Sequence, residues 1–313
     1  MNIFTGRTKA LVIAGFAALI LAAISWGAFR FNGASAVRQA ASCLDSTFDP
    51  FVWIEGGTFD MGPEDYYPDE RPIRAVSVEG FWIRSTEVTN DEYGAFVEAT
   101  GYRTVAERMP PEGGAPGSAV FIAPTERVSL RAMSWWHWVE GAHWRHPEGP
   151  GSSIETRGNH PVTHIAYEDA TAYAAWAHEE LPSEIEWEYA ASAAGTVSDQ
   201  PYRFEEGRNR PIANTWQGLF PVLNVGEDGH MGTSPAGCFE ANAFGVFDMI
   251  GNVWEWTNTP APAQSGPAKG TIKGGSFLCA PNFCVRYRPA AREAQETGLG
   301  TNHIGFRTVR REQ

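Results

Sequence analysis

Two cysteines five positions apart, Cys279 and Cys284, lie between Gly274-Gly275-Ser276-Phe277 and Val285-Arg286-Tyr287-Arg288. In an exported chain such spacing suits a local disulfide. Two reduced thiols within reach of each other suit instead a soft, low-coordinate ion such as Cu(I), or, in an electropositive setting, thiol exchange. Arg286, Arg288 and Arg292 supply that setting and are expected to lower a thiol pKa if they point inward. Two sulfurs cannot complete a tetrahedral zinc site, and the remaining cysteines, Cys43 and Cys238, have no comparable spacing.

Two further stretches carry oxygen donors among glycines. Asn214 and Thr215 are followed by Asp228 and His230 beside Gly226 and Gly229, and Asp248 is followed by Gly251, Val253 and Glu255. Glycine lets backbone carbonyls turn inward beside side-chain oxygens, which suits a hard cation such as Ca2+, although Asx-Gly clusters also make plain turns. His137, His143, His146, His160, His164 and His178 contain no HExxH arrangement and read as structural. Gly-x-Ser-x-Gly, Gly-x-Gly-x-x-Gly and Walker signatures are absent, which removes the usual support for a serine hydrolase, a dinucleotide enzyme or a P-loop NTPase.

These residues need a scaffold rich in turns. The 313 residues include 33 glycines, 21 prolines and 12 tryptophans, a composition that cannot sustain many long helices and implies an irregular, loop-rich α+β domain. A formal net charge of -13 with no basic block disfavours nucleic acid as a partner. Arg7 and Lys9 precede an apolar run from Ala10 to Phe29, closed by Arg30, so residues 1–30 read as a signal peptide or membrane anchor through residues 10–29. Ala34-Ser35-Ala36 offers a cleavage site, and either outcome places the rest outside the cytoplasm, in a periplasmic or cell-surface setting, anchored or secreted.

Residues 31–50 read as a linker, and 51–309 as one domain. Short apolar runs at Phe51–Ile54, Val76–Val78 and Phe81–Ile83 predict strands. Thr89 or Asn90, with Asp91, Glu92, Tyr93, Phe96 and Val97, predicts a capped helix. A second helix is expected over Ala170–His178, opened by Tyr167-Glu168-Asp169, with Ala172, Tyr173 and Trp176 on one face; a third runs from Ser183-Glu184 to about Ala191. Residues 110–125 suit a surface loop, Trp135, Trp136, Trp138 and Trp144 suit the edge of a core, and only turns and short strands are expected after Gly195.

One family resembles this pattern. Thr58-Phe59-Asp60-Met61-Gly62, Glu87-Val88-Thr89-Asn90, Trp144-Arg145-His146-Pro147-Glu148-Gly149-Pro150, His160-Pro161-Val162, Leu181-Pro182-Ser183-Glu184-Ile185-Glu186-Trp187-Glu188-Tyr189, Gly251-Asn252-Val253-Trp254-Glu255-Trp256 and Gly305-Phe306-Arg307 are similar to segments of the formylglycine-generating enzymes, or sulfatase-modifying factors. The resemblance implies a C-type-lectin-like α+β fold and a copper-dependent oxidase. Such an enzyme uses O2 and a thiol reductant to convert the cysteine of a Cys-x-Pro-x-Arg segment in an unfolded sulfatase to Cα-formylglycine. It further implies that Cys279 and Cys284 hold Cu(I), that the substrate cysteine adds as a third sulfur, and that Ser276 and Trp254 line the pocket. Asn214, Thr215, Asp228 and His230 would bind one Ca2+, and Asp248, Gly251, Val253 and Glu255 a second. Phe283 stands where the family has tyrosine, Ala280 where histidine is common, and Asn302 is displaced by one place. Two other readings remain: a catalytically silent binding module on the same fold, or a different metal-dependent oxidase of the superfamily.

Overall fold

The computed structural model describes residues 43–44, 49–62, 67–110, 113–193, 200–205, 208–262 and 266–311. The expected leader, residues 1–30, lies outside them, and no described helix is long and apolar enough to cross a membrane.

Three helices carry the start signals read from the sequence. Helix α1 (Asn90–Thr100) is capped by Thr89, whose hydroxyl accepts from the Glu92 amide while Glu92 reaches back to the Thr89 amide at 2.8 Å. Helix α3 (Glu184–Ser192) repeats this device with Ser183 and Glu186. Each reciprocal pair satisfies donors that a helix start leaves without partners. Helix α2 spans Tyr167–Trp176 and so begins three residues earlier than expected and ends two earlier. The reason is Asp169, whose carboxylate accepts the Ala166 amide at 2.9 Å and thereby makes Tyr167 the first helical residue. Its buried face is Asp169, Ala170, Tyr173 and Ala174, not the expected Ala172–Tyr173–Trp176 stripe; Trp176 is 40% exposed and meets Phe96 and Tyr173 with tilted rings.

The strands are short. Phe51–Ile54, Phe81–Arg84 and Val309–Arg310 form one antiparallel sheet that brings the two ends of the domain together. A second sheet orders Glu293–Glu296, Lys269–Lys273, Trp254–Pro260 and Ile304–Gly305, and its last pairing is parallel. Residues 110–125, expected as a surface loop, contain the Gly117–Phe121 strand paired with Trp136–Glu140. Small residues allow it: a Cβ on Gly117 would lie 2.5 Å from the Val139 carbonyl. Trp135 and Trp144 are buried, whereas Trp138 is exposed.

The expected linker is tied down wherever it is described. Cys43 is disulfide-bonded to Cys238, Asp49 accepts the Phe51 amide, and the Pro50 carbonyl accepts the Ser85 amide at 2.9 Å.

Two buried apolar clusters flank α3 and the second sheet. One gathers Tyr93, Phe96, Trp144, Tyr173, Trp254, Trp256 and Phe306 with Cys279; the other gathers Ile54, Phe81, Ile83, Trp187 and Met249. A thiol therefore sits in the principal core.

Candidate active site and cation-binding loops

The thiol turn leaves the sheet at Lys273. Gly274 and Gly275 both take left-handed conformations, with φ of 91° and 72°, and a Cβ on Gly275 would fall 2.7 Å from the Tyr287 Cα. Only glycine permits the chain to double back this closely. The Cys279 amide then donates to the Ser276 carbonyl at 2.9 Å, and the Cys284 amide to the Ala280 carbonyl at 2.8 Å, which folds Cys284 back over Cys279. The two sulfurs lie 3.0 Å apart and are not bonded to each other.

The pair is asymmetric. Cys279 is buried, and burial, together with its contact to Cys284, pushes its thiol well up; the Ser276 backbone N–H opposes this weakly. Cys284 is half-buried, and hydrogen bonding with Cys279 pulls its thiol down against the cost of burial. The expected arginine field is largely spent elsewhere. Arg288 pairs with Glu70 at 2.6 Å and Arg292 with Glu184 at 2.9 Å, while Arg286 contacts Asp69 at 2.9 Å and Glu293 at 3.3 Å. Each guanidinium is claimed by a carboxylate, so Arg286 contributes only a small lowering at Cys284 and Glu293 works against it.

Trp254 lies in the same buried cluster as Cys279, its amide donating to the His303 carbonyl at 2.9 Å. Ser276 is wholly buried, and its hydroxyl accepts the Leu278 amide at 3.2 Å. Phe283 stacks on Phe220 at 4.5 Å and meets Trp135 edge-on. A recess of about 330 Å3 includes Pro147, Arg157, Thr163, Phe277 and Asn302, and a more apolar one of about 250 Å3 includes Leu130, Phe220 and Asn282. The thiol turn borders the first through Phe277 and the second through Asn282.

The first oxygen-rich loop gathers its expected members around Asp228, whose carboxylate accepts the Thr215 amide at 3.1 Å, the Gln217 side chain at 2.7 Å and the His230 amide at 2.9 Å. Asn214 lies beside them, and a Cβ on Gly251 would collide with its carbonyl at 2.0 Å. Carboxylate and carbonyl oxygens of this kind are chemically suited to Ca2+.

In the second loop Asp248 is buried and accepts the Gly237 amide at 2.6 Å, while its Oδ1 has no partner. Glu255 differs. Its Oε1 accepts Arg307 at 2.7 Å, and its Oε2 accepts both Arg307 and the Trp187 indole at 2.7 Å. The Glu255 carboxylate is thus compensated by a bidentate guanidinium, whereas Asp248 keeps one oxygen without a donor. Among the described residues no three His, Cys, Asp or Glu side chains converge as a metal cage.

Asn252 was not singled out from the sequence, yet it joins all three regions. Its side chain accepts Ser234 at 3.0 Å and Asn214 at 3.2 Å and donates to Glu87 at 2.9 Å; its carbonyl accepts the Phe277 amide at 2.9 Å. The only sequence signal was its place in Gly251-Asn252-Val253-Trp254. Of the histidines, His164 Nε2 contacts the Pro147 carbonyl at 2.8 Å, His160 Nδ1 contacts the Thr233 hydroxyl at 2.9 Å, and His143 meets His146 edge-on.

The sulfatase-modifying factor enzyme 1-like domain model matches residues 38–312. The formylglycine-generating enzyme of Mycobacterium tuberculosis is 46% identical over 289 residues, covering 82% of this chain and 96% of that one. The inactive C-alpha-formylglycine-generating enzyme 2 of Mus musculus is 36% identical over 271 residues, covering 83% and 85%. Among solved structures, PvdO from Pseudomonas aeruginosa superposes with a TM-score of 0.60 at 26% identity, covering 84% of this chain and 94% of that one.

Proposed function

Because the chain belongs to the sulfatase-modifying factor family, we propose that it oxidises the cysteine of a Cys-x-Pro-x-Arg segment in an unfolded sulfatase to Cα-formylglycine, with O2 and a thiol reductant. The observation that carries this reading is the unbonded pair Cys279 and Cys284, whose sulfurs stand 3.0 Å apart at the end of a glycine-built turn. A silent binding module on the same fold would need no such pair.

The donor set suits Cu(I), a soft ion that binds thiolates in preference to harder ligands; bound there, it would supply redox chemistry with O2. The chain's own residues prepare the site. Hydrogen bonding with the buried Cys279 makes Cys284 the first of the two to ionise, which leaves one proton in the space between the sulfurs. Metal binding releases that proton, so affinity rises with pH. Trp254 and the surrounding core exclude water from the deep side of Cys279, and the Ser276 N–H supports its sulfur. The substrate thiol approaches from the half-buried Cys284 side, with the bordering recesses available to the flanking peptide.

Ca2+ at the Asn214, Thr215, Asp228 and His230 loop, and at Asp248 with the Gly251 and Val253 carbonyls, would brace the two strands of chain that Asn252 links to the thiol turn. The Cys43–Cys238 disulfide and the apolar run at residues 10–29 support a location outside the cytoplasm.

The test supplies Cu(I), O2, a thiol reductant and a Cys-x-Pro-x-Arg peptide and looks by mass spectrometry for replacement of the thiol by a carbonyl. Aldehyde that depends on both cysteines is expected. Copper-loaded protein that leaves the peptide unchanged would turn the assignment to the binding module.

A further inference from the structure

The two arms of the thiol turn are pinned by different parts of the chain. Upstream, the Gly251 amide donates to the Gly274 carbonyl and the Phe277 amide to the Asn252 carbonyl, both at 2.9 Å. Downstream, residues 285–288 meet the segment Tyr67-Pro68-Asp69-Glu70. Proline at the first helical position, with two acidic residues behind it, favours a single 3-10 turn over Pro68–Glu70, and the Glu70 amide closes it on the Tyr67 carbonyl at 3.1 Å.

This segment grips the downstream arm at three places. The Val285 amide donates to the Tyr67 hydroxyl. Asp69 pairs with Arg286 at 2.9 Å, and buried Glu70 pairs with buried Arg288 at 2.6 Å. The Arg286 guanidinium also lies over the Tyr67 ring, 4.0 Å from its centre, where the negative face of the ring favours a cation. The grip nearest the sulfurs is the hydroxyl. Burial pushes its pKa up and the Cys284 sulfur adds to the push, so the phenol lies within electrostatic reach of that sulfur. Phe283 offers no hydroxyl there, its ring being stacked on Phe220 at 4.5 Å. Cys279 is placed by the core around it, whereas half-buried Cys284 takes its position from its bond to the Ala280 carbonyl and from the arm that follows.

We propose that Tyr67 is a positioning residue of the thiol pair: its hydroxyl, by holding the Val285 amide, keeps the Cys284 sulfur beside Cys279. The inference rests on the two-thiol reading of the site given above. Without the hydroxyl the grip passes to the two arginine pairs, and the arm spends a smaller fraction of its time in the arrangement that brings both sulfurs together. Apparent affinity for anything that needs both sulfurs falls by that fraction, and the worth of one neutral hydrogen bond sets it at about fivefold.

The experiment compares the full chain in detergent, metal-free and with both thiols reduced, with two variants. Tyr67→Phe keeps the ring beneath Arg286 and removes only the hydroxyl. Tyr102→Phe removes a hydroxyl that donates to Asp169 at 3.0 Å and serves as the control for general loosening. Cu(I) affinity is read by competition with a chromophoric chelator. Mass spectrometry follows the rate at which diamide joins Cys279 to Cys284, the oxidant taking up the two electrons and two protons that the new S–S bond releases. Tyr67→Phe is expected to weaken Cu(I) binding about fivefold and to slow closure by a similar factor, because looser sulfurs meet less often; Tyr102→Phe is expected to change neither. Wild-type behaviour of Tyr67→Phe in either measurement overturns the inference, and so do equal losses in both variants. If the wild type itself binds no Cu(I), the copper reading fails, and the closure rate alone then decides the role of Tyr67.

Discussion

Replacing each thiol by serine should separate the two sulfurs by stability while treating them alike in function. Cys279 is 2% exposed and packs among Trp254, Tyr287 and Ile304, so Cys279→Ser places a hydroxyl in apolar surroundings. Burying a hydroxyl without full compensation costs about 1–3 kcal/mol. The neighbouring Cys284 sulfur and Ser276 N–H offer partial replacement hydrogen bonds, which favours the lower half, about 1–2 kcal/mol. For a domain of this size that is a fall in Tm of roughly 2–8 °C. Cys284 is half-buried, so Cys284→Ser should cost under about 0.5 kcal/mol, in line with a substitution near the surface. Both variants should lose Cu(I) affinity in a competition assay and form no aldehyde. Melting by fluorimetry, beside the copper competition, checks the two halves separately. Equal melting temperatures would refute the burial argument, and wild-type copper affinity in either variant would refute a two-thiol site.

Two further perturbations probe the buried charges. Arg307→Met leaves Glu255 without its bidentate partner beside Glu87 and Asp248, and breaking a buried pair in this way costs about 3–5 kcal/mol; urea unfolding should show it, and a loss under about 1 kcal/mol would mean the pair is not the fastener it resembles. Burial holds His164 down at about 4 and His303 at about 3, so these stay neutral in the folded protein while the unfolded chain protonates below about 6.5. Their contribution is complete above that pH and declines as pH falls toward the folded values, by about 2 kcal/mol each at pH 5. Asp169, raised by burial to about 6, acts in the opposite direction over the same range and returns about 1 kcal/mol. His303→Asn should therefore flatten the fall in urea midpoint between pH 7 and 5, and an unaltered slope would exclude His303 from that fall.

Local devices were legible in the sequence because they are complete within four residues. Thr89 with Glu92 and Ser183 with Glu186 announced α1 and α3, and the cysteine spacing announced a sulfur pair without choosing among its three readings. The start of α2 was misplaced because an acidic first turn resembles a preamble until Asp169 is seen binding the Ala166 amide. The strand at Gly117–Phe121 was hidden by the glycines and prolines around it, since its partner begins 15 positions later at Trp136. Charge placement was the least legible. Arg288 finds Glu70 across 218 positions and Arg307 finds Glu255 across 52, so neither the loss of the arginine field at the thiols nor the saturation of Glu255 could be read from neighbours in the chain. Cys43 and Cys238, separated by 195 positions, gave no spacing to interpret.

The coexistence of one joined and one open sulfur pair sets a redox window for the molecule. Whatever electron donor keeps Cys279 and Cys284 available must be too weak, or too slow, to part Cys43 from Cys238, whose partner residue lies next to the Gly237 amide that steadies Asp248. A donor strong enough to open both would free the chain beside the Gly237 amide and slacken the Asp248 loop in the same stroke.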